Sequence, residues 1–331
     1  MRLIKQENDC DSRSVSSPTK NSYASILVDI TSMRPTVQAL LWRLLTTIFL
    51  AVTAFAPPAT SAQSKNDFTG DVMALVRRAA ANEMQANQSR GTQNPSPVRF
   101  TIHKRDQKGA TTKEIIQTRE GSVARLIAVN DMPLSPEQEQ AEHARLQRLL
   151  DQPEIQEHRR RREKEDADRA NKLIKVMPDA FLYSYAGMAQ APSGPAIKLH
   201  FKPNPNFVPP DQESRVATGI EGELWIDQAQ ERMVRLDAHL FQDVDFGWGI
   251  LGRLYKGGDI HIENADIGNH NWQLVNMKMD LVGKALMLKT LTFHITETAS
   301  GFQPVPRELT YQDAVHLLQS NSYPLVPASG R

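Results

Sequence analysis

Four residues have the types and spacing to hold a metal ion: His261, Glu263, Asp266 and His270. Imidazole and carboxylate suit zinc or a similar cation, and a bound cation there would make the protein a metal-assisted hydrolase. On an alternating strand His261 and Glu263 share a face, while turn residues separate them from His270. The plainer reading is a solvated strand surface, because nine histidines are spread through the chain; on it no metal is expected. Gly247-Trp-Gly-Ile-Leu-Gly252 satisfies the G-x-G-x-x-G pattern, whose chemistry requires a helix N-terminus aimed at a pyrophosphate. Gly257-Gly258 follow within a few residues and the next segment reads as a strand, so no dinucleotide or other cofactor is expected. No G-x-S-x-G, H-E-x-x-H or P-loop pattern occurs. Nothing in the sequence supports an enzyme.

A second chemistry needs no catalytic group. Phe246, Trp248 and Leu251 lie on a bent, glycine-relieved connection, where large apolar side chains either fill a core or line a hydrophobic ligand site. Met277 and Met279 share one strand face, and Leu291 and Phe293 share another. These seven residues are the candidate lining of a hydrophobic cavity, with Met287 as a further thioether able to adapt to a flexible ligand. Trp272 falls on the opposite parity from Met277 and Met279, so a regular strand cannot aim all three into one cavity.

The elements that would position these residues follow from periodicity. Asp67 is a candidate N-cap for a helix with Phe68, Val72, Leu75, Val76 and Ala79 on one face and Arg77, Arg78, Asn82 and Gln85 on the other. Gly91 and Pro95 close it. Val98, Phe100 and Ile102 alternate with Arg99, Thr101 and His103, a turn follows at 106–109, and Ile115-Ile116 and Val123 to Val129 continue an antiparallel meander. Ser135-Pro-Glu-Gln138 is a capping box with proline at the first helical position. The helical pattern then runs to Met177, just before Pro178, with a break at Pro153. Residues 151–172 hold seven acids and seven bases, including Arg159 to Arg162, which describes a solvated helix laced by i,i+4 pairs more readily than a basic docking site for acidic headgroups or a partner.

From Phe181 onward the period is two. Ile197, Leu199 and Phe201 precede a Pro-rich loop over 203–210, and Ile220 to Ile226 pair across a turn at 227–230 with Val234, Leu236, Ala238 and Leu240. The strands of Met277 and Phe293 close the sheet, and Tyr311 to Gln319 form a short helix before a tail. Short turns without alternating helices predict an α+β fold built on one long antiparallel sheet.

At the front, Leu44 to Ala56 is an apolar run behind Arg34 and Arg43, followed by Pro57-Pro58 and small residues through Ala62. This is the pattern of a secretory signal peptide over 33–62, cleaved after Ala62. An uncleaved anchor around 37–56 is the alternative, since a span needs roughly 20 residues. Residues 1–32 read as a disordered extension or as sequence upstream of a true start at Met33. Residues 1–62 hold six bases and four acids, so the remainder carries 33 bases and 34 acids and no cysteine, Cys10 being the chain's one thiol. Near-neutrality argues against a nucleic-acid partner, and the lack of thiols excludes disulfides and cysteine-rich zinc sites. The mature form is expected to be exported, periplasmic and not membrane-spanning.

The segment Gly222-Glu-Leu-Trp-Ile-Asp227, followed by Glu231-Arg-Met-Val-Arg-Leu236, resembles the LolA/LolB-type lipoprotein-carrier superfamily over roughly residues 66–306. The resemblance implies a curved antiparallel sheet, an incomplete β-barrel covered by helices, here with a long charged helical hairpin inserted at 135–177 and a C-terminal helix and tail at 307–331. It also implies a non-enzymatic function: binding a lipid, the acyl chains of a lipoprotein or another amphiphile at the cell envelope. The same fold used as an envelope interaction or sensor module, touching a protein through 151–172, is the alternative.

Overall fold

A computed structural model describes residues 68–89, 96–247, 251–286 and 289–320. The extension 1–32, the leader 33–62 with its anchor alternative, Asp67, Gly91, Pro95, Trp248, Met287 and the tail beyond residue 320 lie outside the described residues. Among the described residues no helix is long and apolar enough to cross a membrane.

The first helix, α1 (Val72–Ser89), begins later than its apolar pattern suggests. Its cap is Asp71, whose Oδ1 accepts from Met73 N at 2.8 Å and Ala74 N at 3.3 Å. Asp67 stands too far upstream for a helix that starts at Val72. Phe68 precedes the helix yet still packs on the core, 6.1 Å from the Tyr185 ring. Strands β1 (Val98–Asp106), β2 (Gly109–Ile116) and β3 (Val123–Val129) form the expected meander. Asn130 and Asp131, both left-handed, turn the chain into the short β4 (Met132–Pro133).

Helix α2 (Pro136–Asp151) opens with the complete Ser135/Gln138 capping box. Helix α3 (Pro153–Ala180) follows after Gln152 alone and carries Pro178 within its last turn, so it extends past Met177 and runs directly into β5 (Phe181–Ala191). The remaining strands are β6 (Gly194–Pro203), β7 (Ile220–Asp227), β8 (Met233–Leu240), β9 (Val244–Phe246), β10 (Gly252–Asp266), β11 (Trp272–Ala285) and β12 (Lys289–Pro304), and α4 (Tyr311–Gln319) ends the order. A 3-10 turn, Glu213–Thr218, follows the Pro-rich loop.

All strands join one sheet in the order β4-β3-β2-β1-β12-β11-β10-β8-β7-β6-β5, with β9 on β10, and every pairing is antiparallel. The path ends at β4 and β5 without closing, so the fold is α+β with an open sheet and helices, as expected. The inner face of the sheet carries the main core: Leu75, Val76, Ala79 and Ala80 of α1 and Met177 and Ala180 of α3 pack on Leu199, Leu224, Ile226 and Ile260.

A second core forms on the other face. Phe100 lies opposite Ile115 and Arg99 opposite Ile116, so Ile116 points away from the side that Phe100 occupies. It packs with Val123, Leu146 and Leu149 of α2 and Val315 and Leu318 of α4. The two charged helices are therefore consecutive but serve different partners: α2 meets β3 and α4, and the far end of α3 meets α1. Helix α2 also covers the sheet edge, where Leu126 N donates to Glu142 at 2.7 Å and Arg145 donates to Ala124 O. Those side chains satisfy backbone groups that an edge strand leaves open.

The β7–β8 hairpin departs from regular alternation. A bulge between Trp225 and Ile226 places Ile226 opposite Met233, so Met233 and Leu236 face the main core. Val234 instead joins a small outer cluster with Trp272, Ala191 and Ala196. Gly222 is required by close approach, because a Cβ there would meet Asp237 O and Ala238 Cα of the neighbouring strand.

Candidate ligand-binding face

The inner face is closed over one half and open over the other. Under α1 and the end of α3, Leu199, Leu224 and Ile226 are fully buried. Further along the same face burial falls away. Ile295 pairs with Met279 and Glu297 with Met277; Lys104 pairs with Glu297; Lys113 pairs with Ile102 and in turn with Leu126. Directly opposed residues point the same way, so Met277, Ile295, Glu297, Ile102, Lys104, Lys113, Ile115 and Leu126 continue one surface. None of the eight is fully buried, and Lys113 is exposed.

The charges here arise where strand alternation places Lys104, Lys113 and Glu297 on inner positions. Helix α3 supplies the opposite wall at the turn between β2 and β3. Gln156 Nε2 donates to Glu120 O at 3.0 Å and Ser122 N donates to Glu163 at 3.1 Å. Between them on the helix stands Arg159, whose Nε is buried with no hydrogen-bond partner among the described residues.

Although Lys113 keeps an exposed surface, desolvation holds its amine below the ordinary lysine value; the cations Lys104, Arg145 and Arg159 add to this and Glu142 opposes it. Burial likewise lowers Arg159, with Arg145 nearby. Burial raises the Glu297 carboxyl, an effect that Lys104 and Lys113 oppose. It also raises Glu163 against the Ser122 hydrogen bond. Glu142 is occupied by Arg145 Nε at 2.7 Å and by Leu126 N. The arrangement is a half-covered apolar surface with unevenly satisfied charge.

Of the seven candidate lining residues, five lie in or against the main core. Phe246, Met279 and Phe293 are packed within the closed core. Met277 and Leu291 stand at its margin, half-buried. Leu251 is 38% exposed on the segment beside β9, and Trp248 lies outside the described residues. Trp272 faces the outer side, where Arg232 stacks 5.6 Å from its ring.

Of the four candidate metal ligands, His261 and Glu263 do meet, but within an ion-pair cluster on the outer face. His261 Nδ1 lies 2.8 Å from Asp237 and Nε2 lies 3.4 Å from Glu263. These two carboxylates raise the His261 pKa to about 9, Asp237 contributing most, so the ring is an imidazolium without a free lone pair. Arg235 bonds both acids and stacks 4.9 Å from the Trp225 ring. Asp266 accepts instead from Gln230 Nε2 at 3.1 Å and from Gly268 N at 2.9 Å, with His270 3.8 Å away. Among the described residues no group of three or more His, Cys, Asp or Glu could hold a metal. Gly252 opens a strand rather than a helix, so the G-x-G-x-x-G segment lacks its phosphate-binding element. The charged stretch of α3 is laced internally, by Arg160 with Glu157, Lys164 with Asp168 and Arg169 with Asp166.

No family model matches the chain, and no curated protein matches it. Solved structures to which the chain is similar include the following two. One is a LolA superfamily protein from Nitrosomonas europaea, at 11% identity and a TM-score of 0.25 over 69% of this chain and 94% of that one. The other is described as an outer membrane lipoprotein-sorting protein domain from Vibrio parahaemolyticus, at 7% identity and a TM-score of 0.30 over 74% of this chain and 99% of that one.

Proposed function

We propose that the protein is an exported, non-enzymatic binding protein that holds a lipid, the acyl chains of a lipoprotein or another amphiphile at the cell envelope. One observation carries this reading: a single sheet face is sealed by α1 and α3 over β6, β7, β8 and β10 and the Met279, Leu281 and Phe293 positions of β11 and β12, and left half-open from Met277, Ile295 and Glu297 across Ile102, Lys113, Ile115 and Leu126 of β1 to β3. A face built only for stability would bury Ile102, Ile115, Leu126 and Ile295 as it buries Leu199 and Leu224. Each methylene taken from water contributes about 0.8 kcal/mol, so a ten-carbon chain gains roughly 8 kcal/mol before the cost of ordering it. Shape and apolar area then suffice, without catalytic groups. The apolar leader at 44–56 supports export.

Native mass spectrometry of the protein purified from its own host after mild lipid extraction tests the reading. The expected result is an added mass that exchanges with supplied amphiphile. A protein that carries no lipid and takes none up would defeat it.

A further inference from the structure

We propose that the open half of the inner face selects amphiphiles with an anionic headgroup, carboxylate or phosphate, and seats that headgroup between Lys113 of β2 and Arg159 of α3. The inference rests on the carrier reading above and names its ligand class.

Two cations of this region have no hydrogen-bond partner among the described residues. Lys113 stands on the inner face directly between Ile102 and Leu126, with Lys104 and Glu297 further along the same face. It makes no hydrogen bond or ion pair among the described residues; Lys104, Arg145 and Arg159 act on it as like charges and Glu142 in the opposite sense. Arg159 stands on the helix beside the β2–β3 turn, between the residues that bond Glu120 O and Ser122 N, with its Nε buried and unpartnered among the described residues. A buried guanidinium nitrogen without an acceptor costs free energy, and so does an amine crowded by like charges. The acids nearby do not relieve both. Glu142 is bound to Arg145 and Leu126 N. Glu163 accepts from Ser122 N. Glu297 lies directly opposite Lys104 and is shared between Lys104 and Lys113.

An oxyanion reaching Lys113 and Arg159 would supply the missing acceptors with charge-assisted hydrogen bonds. The apolar neighbours decide what is attached to it. Ile102, Ile115 and Leu126 border Lys113, and the surface runs on through Ile295 and Met277 to the edge of the closed core. This is a track for a hydrocarbon chain leading away from the charged end. A free inorganic anion would leave that track uncovered, and a neutral lipid would leave the two cations unsatisfied.

Isothermal titration of delipidated protein with three probes tests this: decyl phosphate, decanol and inorganic phosphate, all below micelle-forming concentrations. Decyl phosphate should bind at least tenfold more tightly than decanol, and inorganic phosphate should bind far more weakly than either. The double variant Lys113→Gln/Arg159→Gln should lose about tenfold for decyl phosphate and nothing for decanol, while Lys113→Arg/Arg159→Lys retains the preference. Equal affinity of the wild type for decyl phosphate and decanol overturns the inference and leaves the carrier reading standing. Failure of every chain-bearing probe to bind overturns both. Inorganic phosphate bound as tightly as decyl phosphate overturns the amphiphile assignment. If the double variant does not fold, the wild-type ratio and the charge-conserving variant decide alone.

Discussion

His261 shows how much of a residue's meaning depends on its partners. Its type and spacing relative to Glu263 suit a metal ligand, and the two do meet, but Asp237 and Arg235 from the neighbouring strand convert the pair into an ion-pair cluster. Because its pKa in the folded chain is about 9 against 6.5 for the free group, the stabilisation it confers is fully present below pH about 6.5. It is lost as pH rises through about 9, since the unfolded chain then holds fewer protons than the folded one. The amount at stake is of order 2–3 kcal/mol. Melting temperatures should therefore fall between pH 6.5 and 9.5 and fall less in His261→Gln. Identical pH profiles for the two proteins would show that the cluster is energetically idle. Gly222 is a second residue-scale constraint: Gly222→Ala drives a methyl into the backbone of Asp237 and Ala238 and should cost about 2–4 kcal/mol in denaturant unfolding.

At the scale of elements, the polar side of α1 proves to be an anchoring surface rather than a solvated one. Glu83 accepts from Arg232 Nε at 2.8 Å, Arg232 Nη2 at 2.9 Å and Met233 N at 2.9 Å, while Arg78 bonds Glu231 and Asn82 bonds the carbonyls of Gln230 and Glu231. These contacts lock the helix to the β7–β8 turn. Glu83→Gln removes a buried charge from a bonded pair and should destabilise the protein by about 2–4 kcal/mol, measurable by urea titration; Glu231→Gln, on the more exposed Arg78 pair, should cost under 1 kcal/mol. What was legible in the sequence at this scale was local. The Ser135 capping box, the turn at Asp227 and the long alternation each depend on residues a few positions apart, so pattern alone recovers them. Features set by distant packing were not legible: Val234 leaves the main core because a bulge shifts its strand, and α2 and α3 part company because different cores claim them. Lys104, Lys113 and Glu297 fall between. Their inner parity is readable by extending the alternation of Ile102 and Ile295 one step, and the signal is a charge at a position where the period requires an apolar residue.

For the whole molecule, the division of one sheet face into sealed and open halves sets where stability resides and, on the proposed reading, where a ligand would act. The strands β6, β7 and β8 are paired on both sides and covered by α1 and α3. Their amides should exchange only on global unfolding. Strands β1 to β3 are paired too, but their inner residues remain half-open, so sub-global opening should reach them first. A ligand lying on Ile102, Ile115 and Leu126 stabilises only states in which that surface is formed. By mass action, saturation at 100 times Kd adds about 2.7 kcal/mol against those openings. Hydrogen-exchange mass spectrometry with and without decyl phosphate should then show slower exchange in β1, β2, β3 and β12 and in α3 around Arg159, beyond any change in β6 to β8. A ligand that slowed every element equally, or only β6 to β8, would place the bound chain somewhere other than the open half, because protection by local closure cannot spread evenly over strands that already open only when the whole domain does.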